Sequence, residues 1–167
     1  MQDFSHDWEN AEASPIFSEE MGLAVRTDDS QGDCRYKRHF SDAHCVRRGY
    51  KPGNFTQLPS DDYVRLVVTQ VKEFGKFSEF LEKSIHNPVH NAIGGDMIRA
   101  DAPNDPIFWL FHASIDKIWD DWEKLNPGIG YANRTKIIEP FGISAGVAED
   151  SRRLCYKYEP SSRAKKY

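Results

Sequence analysis

The stretch HNPVHNAIGGDMIRADAPNDPIFWLFHASIDKIWDDW, residues 86–122, decides the fold of this chain. Its first two histidines, His86 and His90, are four residues apart, so a helix places both imidazoles on one face, one turn from each other. Gly94 and Gly95 follow at a position where a helix commonly ends. The pattern therefore predicts a short helix that presents two imidazoles on the same side.

A second helix is predicted from Pro106 to about Leu125. Asp105 is a suitable N-cap and Pro106 suits the first helical position, while Asn126-Pro127-Gly128 marks the end. The apolar residues of this segment recur at helical spacing, at Phe108, Phe111, Ile115, Ile118, Trp119 and Trp122. His112 lies on the same side as this stripe, so two helices joined by a short loop could bring three imidazoles to one point.

Three neutral imidazoles with an open fourth position are typical of a catalytic metal site. The candidate metal ligands are therefore His86, His90 and His112. A single histidine in an apolar stripe is more often a hydrogen-bonded core residue, and an H-x3-H pair alone is only suggestive. The prediction rests on the combination of a pair on one helix with a third imidazole on the next.

These segments resemble the second copper site of the tyrosinase and hemocyanin (type-3 copper) family. The matching segments are HNPVHNAIGGDM at 86–97, APNDPIFWL at 102–110, and the run that holds His112, Asp116 and Trp119. In that family an H-x3-H pair and one histidine from a later helix bind the second copper. The resemblance implies the same role for the three candidate ligands of this chain.

The resemblance extends over residues 7–158. It includes Asp7-Trp8 with the SPIF segment at 14–17, the HC and RGY residues within 44–50, and the LCYKY segment at 154–158. The family's first copper site needs three more histidines on earlier helices, and the remaining histidines here match only the linker between the sites. We therefore expect a chain that holds the second metal site alone.

Composition limits the classes of partner. The chain has 167 residues, of which 39% are hydrophobic and 29% charged, and its net charge of −4 argues against nucleic acid and anionic membranes as partners. It shows no apolar run long enough for a membrane helix and no signal peptide pattern, which predicts a cytoplasmic protein if Met1 is the true start. Reduced thiols are expected in that compartment, whereas a disulfide between Cys34 and Cys45 is the alternative if the protein is secreted.

The predicted fold is mainly α, the helical-bundle half of a tyrosinase-like or hemocyanin-like core in a single domain, 1–167. We expect an irregular wrapping segment at 1–60, a helical metal-site core at 61–126, closing loops and strands at 127–158, and a flexible tail at 159–167. The first core helix is predicted over 61–74 with Ser60 as N-cap, and the candidate strands are 136–139 and 153–158.

Two carboxylates precede the histidine pair. Because proline is tolerated only in the first turn of a helix, Pro88 predicts that the histidine helix starts near Ser84, after Glu79 and Glu82. Glu82 matches by resemblance the acidic residue that holds a water at the metal centre of polyphenol oxidases. It is the first candidate for the catalytic proton carrier and Glu79 the second, although unpaired surface carboxylates remain an alternative for both.

Four further residues complete the predicted site. Asp116, one turn after His112, is expected to orient a ligand imidazole, with a structural ion pair as its alternative role. Asn87 is expected to contact a ligand imidazole in the same way. Phe111 stands where the family usually has a second histidine, and it is assigned with Asn91 to the substrate pocket.

Within the family the reduced pattern most resembles the fungal hemocyanin-like zinc cyclopenases of quinolone alkaloid biosynthesis. Those enzymes catalyse a non-oxidative ring contraction of a cyclopenin-like epoxy-benzodiazepinedione to a viridicatin-type quinolone. The resemblance implies a lyase-type enzyme of secondary metabolism with one zinc per chain and an aromatic alkaloid as its small-molecule substrate. The zinc would bind a substrate carbonyl oxygen while a carboxylate moves a proton.

Other interpretations stay open at this point. Copper could occupy the site, because Cu(II) binds such ligands more strongly than zinc does. The chain could be half of a dinuclear catechol oxidase or tyrosinase that another chain or a second copy completes. It could also be a metal-binding remnant without turnover. The oligomeric state is not predicted.

Overall fold

The computed structural model describes residues 14, 16, 33–37, 45–49 and 58–158, with the backbone alone at 33–37 and 45. The described part is mainly α-helical, as predicted. Its α-helices are α1 (Asp61–Gln70), α2 (Phe74–Phe80), α3 (Asn87–Ile93), α4 (Pro106–Leu125) and α5 (Ala145–Ala148). No described helix has the length and apolar character needed to cross a membrane. Most of the predicted irregular segment, and all of the predicted tail, lie outside the described residues.

The strands are short and form two separate pairs. Strand β1 (Asp33–Lys37) runs antiparallel to β2 (Cys45–Val46), and β3 (Ile137–Ile138) runs antiparallel to β4 (Ile143–Ser144). The first predicted strand, 136–139, is thus confirmed around β3. The second, 153–158, is wrong, because local turn bonds such as Leu154 N–H to the Asp150 carbonyl occupy its backbone groups.

Helix α1 begins as predicted but ends earlier. The Ser60 hydroxyl accepts the Tyr63 N–H at 3.2 Å, which caps the helix. The predicted span ran to residue 74, whereas the helix ends at Gln70 and Val71 is extended. The Trp122 indole N–H donates to the Val71 carbonyl at 2.6 Å, so a contact from α4 fixes the break between α1 and α2.

The histidine helix does not start near Ser84. Residues 74–93 form one helical run in which a π-helical turn, Leu81–His86, joins α2 to α3. In this turn the Asn87 N–H donates to the Glu82 carbonyl, five residues back. The register change falls directly before Pro88, which has no N–H for an α-helical bond. The proline is therefore accommodated inside a longer helix, and both candidate carboxylates belong to the helix that carries His86.

The hydrophobic core consists of two clusters of buried residues, and helix α4 packs against both of them. Near its start it packs with α3 and the 3-10 segments Gly95–Ile98 and Ala102–Asn104, and near its end with α1, α2 and the π turn. Ile115 contacts both clusters. At the far end the rings of Phe77 and Trp122 stack with centroids 4.3 Å apart. The helix is held along its length, so the position of His112 is fixed by packing on both sides of it.

The segment 47–49 holds the turn after α3 in place. The Gly49 N–H donates to the Ile93 carbonyl at 2.9 Å, and the Asp96 N–H donates to the Arg47 carbonyl at 2.8 Å. A Cβ on Gly95, whose φ is +57°, would lie 2.2 Å from that same Arg47 oxygen. Only glycine fits this close approach of two backbone segments. The sequence pair Gly94-Gly95 therefore ends α3, as predicted, and also admits the neighbouring segment.

Candidate metal centre

The three predicted ligands lie together where the long helical run meets α4. His86 is the last residue of the π turn, His90 follows in α3, and His112 lies in the first half of α4. One possible ligand atom from each residue lies within 4.8 Å of the other two. The ring centroids of His86 and His90 are 4.4 Å apart, and His112 lies 5.0 and 5.3 Å from them. Among the described residues, this is the one group found that could hold a metal ion.

Each of these imidazoles has an oxygen acceptor at Nδ1. The pairs are His86 with the side-chain oxygen of Asn87 at 2.9 Å, His90 with the Met97 carbonyl, and His112 with the Phe108 carbonyl at 2.8 Å. Carbonyl oxygens only accept, so each Nδ1 carries the proton and donates it. In the neutral imidazole the other nitrogen, Nε2, then has a free lone pair for a metal ion.

The Nε2 atoms provide the test of whether a metal ion fits. The Nε2 atoms of His86 and His112 are 3.1 Å apart, and with both protons on Nδ1 neither can donate to the other. The Nε2 of His90 is buried and has no hydrogen-bond partner among the described residues. Facing lone pairs and a buried unpaired acceptor are both unfavourable. A metal cation would satisfy all three nitrogens, so the residues present fit such an ion.

The electrostatic surroundings favour the neutral form of two ligands. Burial lowers the pKa of His90 and of His112, and their hydrogen bonds to the Met97 and Phe108 carbonyls oppose this only in part. The charge of His86 lowers both pKa values further. Metal ions bind the neutral imidazole, so these shifts keep the ligands ready to bind at neutral pH.

Aromatic rings surround the histidines on the core side. The Phe108 ring stacks on His112 with centroids 3.8 Å apart, and the Phe111 ring lies 5.6 Å from His86 in a near-parallel arrangement. Phe111 is only 1% exposed and belongs to the hydrophobic core. Its predicted place in a substrate pocket is therefore corrected, because it packs beneath the imidazoles where a substrate would have no access.

The structure separates the two residues predicted to orient ligands. Asn87 contacts His86 as described above. Asp116 does not orient an imidazole, since its Oδ2 accepts the hydroxyl groups of Tyr156 at 2.8 Å and Tyr158 at 2.5 Å. It shares a helix face with His112, but the Nδ1 of His112 is already bonded within its own helix. The expected role of Asp116 is corrected to one of anchoring the 156–158 segment.

The candidate carboxylates lie on the solvent side of the helical run. Glu79 forms an ion pair with Lys83 at 2.8 Å, and the Lys83 hydrogen bond and charge lower the pKa of its carboxyl group. Glu82 is exposed and stands one turn before His86. Asn91 is exposed as well, one residue after His90. No described contact joins any of the three side chains to an imidazole, so their roles stay predictions.

Two groups at the site were not anticipated from the sequence. The carbonyl oxygens of Met97 and Phe108 accept hydrogen bonds from the Nδ1 atoms of two ligands. Every residue has a backbone carbonyl, so the amino-acid sequence does not indicate which ones bind the histidines. A partial signal exists for Phe108, because it precedes His112 by four residues and a helical imidazole can reach the carbonyl one turn back. No comparable signal marks Met97, whose position depends on the turn after α3.

Helices that bring three imidazoles with free Nε2 atoms together form a histidine site that could hold a metal ion. Residues 2–125 match the family model described as the common central domain of tyrosinase. This match covers well over half of the chain, and the chain belongs to the tyrosinase family.

Individual relatives agree with this assignment. The chain is 34% identical over 149 residues to a tyrosinase-like protein, phomQ1', from Diaporthe leptostromiformis, with 70% of this chain and 39% of the relative covered. It is 29% identical over 90 residues to the tyrosinase ustQ of Aspergillus flavus, covering 52% of this chain and 25% of the relative. A Streptomyces glaucescens tyrosinase is 50% identical over 48 residues, 29% of this chain and 18% of its own. The chain thus spans less than two-fifths of the length of these relatives.

Proposed function

We propose that this chain is a metal-dependent enzyme that holds one zinc ion on His86, His90 and His112 and catalyses a non-oxidative reaction. The observation that carries the proposal is the convergence of three imidazoles whose Nδ1 protons are all engaged, leaving three Nε2 atoms free. Membership of the tyrosinase family supports metal-dependent catalysis at this position. The three-histidine group found within the described residues is sufficient to hold one ion.

The proposed reaction is a cyclopenase-type ring contraction of an epoxy-benzodiazepinedione to a quinolone. When bound, zinc with three imidazole ligands supplies Lewis acidity towards a substrate oxygen and requires no change of oxidation state. The resemblance of the sequence to hemocyanin-like zinc cyclopenases supports this choice of substrate. The reaction involves loss of a small carbonyl-amine fragment, so a proton must move to and from the reacting atoms.

The chain's own residues would contribute in distinct ways. Asn87 would hold the proton on Nδ1 of His86, which keeps the Nε2 lone pair directed at the ion. Phe108 and Phe111 would exclude water from the core side of the imidazoles. Glu82 would carry the proton, because Glu79 is already paired with Lys83 and so is a weaker base.

A second candidate function is one half of a dinuclear copper oxidase. The observation that favours it is family membership, because the matching relatives are named tyrosinases or tyrosinase-like proteins. Another polypeptide, or a second copy of this chain, would then supply three further histidines. In that case the substrate would be a phenol or catechol.

Metal analysis combined with an oxidase assay tests both candidates. We expect protein purified without added metal to contain one zinc ion per chain, measured by native mass spectrometry and elemental analysis. Alanine variants of His86, His90 or His112 should lose that ion, while Glu79→Gln, a surface change outside the ligand set, should keep it. Catechol oxidation by the copper-loaded chain would overturn the non-oxidative proposal and favour the second candidate.

A further inference from the structure

A cavity of about 220 Å³ lies along α4, beginning one turn beyond His112. Its walls come from the second half of that helix and from the segment 131–156, which returns across it. None of the three histidines lines this cavity. The metal centre therefore does not account for it, and its lining indicates a different kind of ligand.

Aromatic rings form part of the cavity wall. Trp119 and Tyr131 stack with centroids 5.9 Å apart and an interplanar angle of 25°, and Tyr156 also lines the space. Phe74 packs behind the first two rings, 5.3 Å from Trp119 and 5.0 Å from Tyr131. The rings are therefore held in place by their mutual packing, and part of each of Trp119, Tyr131 and Tyr156 borders the cavity.

Four carboxylates line the same cavity: Asp116, Asp120, Glu123 and Glu149. Asp120 pairs with Lys124 at 2.6 Å, and Glu149 with Arg134 at 2.9 Å. Within the described part of the chain, Asp116 accepts two neutral tyrosine hydroxyl groups and has no ion pair, and Glu123 has no ion pair either. The cavity therefore carries an excess of negative charge that these neighbouring cations leave unbalanced.

Glu149 contributes a buried carboxylate to the same cavity. Its side chain is 4% exposed, and Oε1 accepts the Tyr131 N–H at 2.8 Å. Its Oε2 is buried and lies near the half-exposed Arg134, but in a geometry that gives no hydrogen bond within the described part of the chain. This oxygen therefore has a cationic neighbour but no hydrogen-bond donor, and an N–H group of a ligand could supply that donor.

The protonation of Glu123 is also affected by the negative charge of this cavity. Burial raises the pKa of its carboxyl group, and the negative charges of Glu149 and Asp120 raise it further, while a hydrogen bond from Trp119 and the charge of Arg134 oppose them. A cation in the cavity would relieve this repulsion.

The arrangement does not suit a small metal ion. No three of these carboxylates bring an oxygen each within 4.8 Å of the others, since the histidine group is the one such cluster found in the described residues. Negative charge spread around aromatic rings is instead the environment that binds an organic cation, through ion pairing and through attraction to ring faces. We propose that this cavity binds a protonated organic amine against Trp119, with Glu123 and Glu149 as its counter-ions.

The experiment compares a cation with its neutral counterpart. Phenethylammonium and 2-phenylethanol have nearly the same size and shape, and each can be titrated into ¹⁵N-labelled protein at 0.15 M salt. We expect the amine to shift the Trp119 indole N–H signal, which the Trp119→Phe variant identifies by its loss. The alcohol should bind at least about tenfold more weakly, because it gains neither ion pairing nor cation–π attraction.

A matched pair of variants locates the effect. Glu123→Gln keeps the side-chain size and an acceptor for the indole, and it should weaken amine binding about tenfold. Asp62→Asn removes the same charge from an exposed position on α1 outside the cavity, and it should leave binding unchanged. Removing metal with a chelator should also leave it unchanged, so this site can succeed or fail independently of the proposed function.

Three outcomes would overturn the proposal. Equal binding of the alcohol would show that charge plays no part. Equal weakening by Glu123→Gln and Asp62→Asn would show a general surface effect rather than a site. A Trp119 signal that stays unshifted while the amine binds elsewhere would rule out the cavity. The relative affinities of the two ligands are measured on the wild-type chain alone, so that comparison holds even if Glu123→Gln fails to fold.

Discussion

The guanidinium group of Arg48 binds both carboxylate oxygens of Asp105, with Nε to Oδ2 and Nη2 to Oδ1 each at 2.7 Å. Both side chains are buried. Asp105 also caps α4 by accepting the Ile107 N–H at 2.9 Å. One carboxylate therefore joins the start of the helix that carries His112 to the segment that packs against the turn after α3.

Breaking this pair should strongly destabilise the fold. Arg48→Met leaves the Asp105 carboxylate buried without its cation, which costs about 3–5 kcal/mol. Urea denaturation followed by circular dichroism measures the change in the free energy of unfolding. Arg65→Met is the matched control, because Arg65 pairs with the exposed Asp62 and its loss should cost about 0–1 kcal/mol. Similar small losses in both variants would contradict the importance of the buried pair.

Asn87 should control metal affinity without being a ligand. Asn87→Ala removes the acceptor for Nδ1 of His86, so the imidazole loses its fixed tautomer and orientation. Loss of such a partner typically reduces metal affinity about 10–100-fold. Competition with a zinc-binding dye measures this affinity. Asn91→Ala, one turn later and exposed, provides the control and should bind zinc as the wild type does; an equal loss there would point to a general effect on the helix.

The proposed proton carrier can be tested by a pair of isosteric changes. Glu82→Gln should lower turnover by about 10²–10⁴-fold while zinc content stays unchanged, since glutamine cannot exchange a proton. Glu79→Gln should keep most of the activity, because Glu79 is paired with Lys83 on the exposed surface. Product formation from the benzodiazepinedione substrate is followed by liquid chromatography and mass spectrometry. Near-normal turnover in both variants would move the role to a metal-bound water.

Acid should destabilise the metal-free protein through two ligands. Burial lowers the pKa of His90 and His112 below the usual 6.5. Below that pH the unfolded imidazoles take up protons that the folded ones do not, so unfolding is favoured as the pH falls. We expect the melting temperature of chelator-treated protein to drop between pH 7 and pH 5. The double variant His90→Gln/His112→Gln should drop less, and identical pH dependence in both proteins would refute this cause.

The sequence allowed good prediction of features that depend on local chemistry. The Asp105 cap and Pro106 mark the start of α4, and its end at Leu125 also agrees with the prediction. The end of α1 could not be predicted, because it depends on the Trp122 indole bonding to Val71 from 51 residues away. Local signals therefore mark where α1 and α4 begin, while a tertiary contact decides where α1 stops.

The same distinction applies to the candidate site. The three histidines could be grouped from spacing and resemblance, and the structure brings them together. The role predicted for Asp116 failed, because spacing places it on the right helix face but cannot reveal that Tyr156 and Tyr158 bind it. The periodicity of a helix predicts which residues share a face, but it does not predict which distant segments contact that face.

The π turn at Leu81–His86 sets the angular phase of the histidine helix. Buried apolar residues recur at every fourth position through it, at Phe77, Leu81, Ile85, Val89 and Ile93. Four residues of α-helix advance about 40° past a full turn, so this repeat would drift around an unbroken α-helix. The wider turn takes up part of the drift. Deleting one of its residues would rotate the Phe77 face by about 100° relative to His86 and His90. The number of residues in this turn therefore determines which way the two imidazoles face when Phe77 packs in the core.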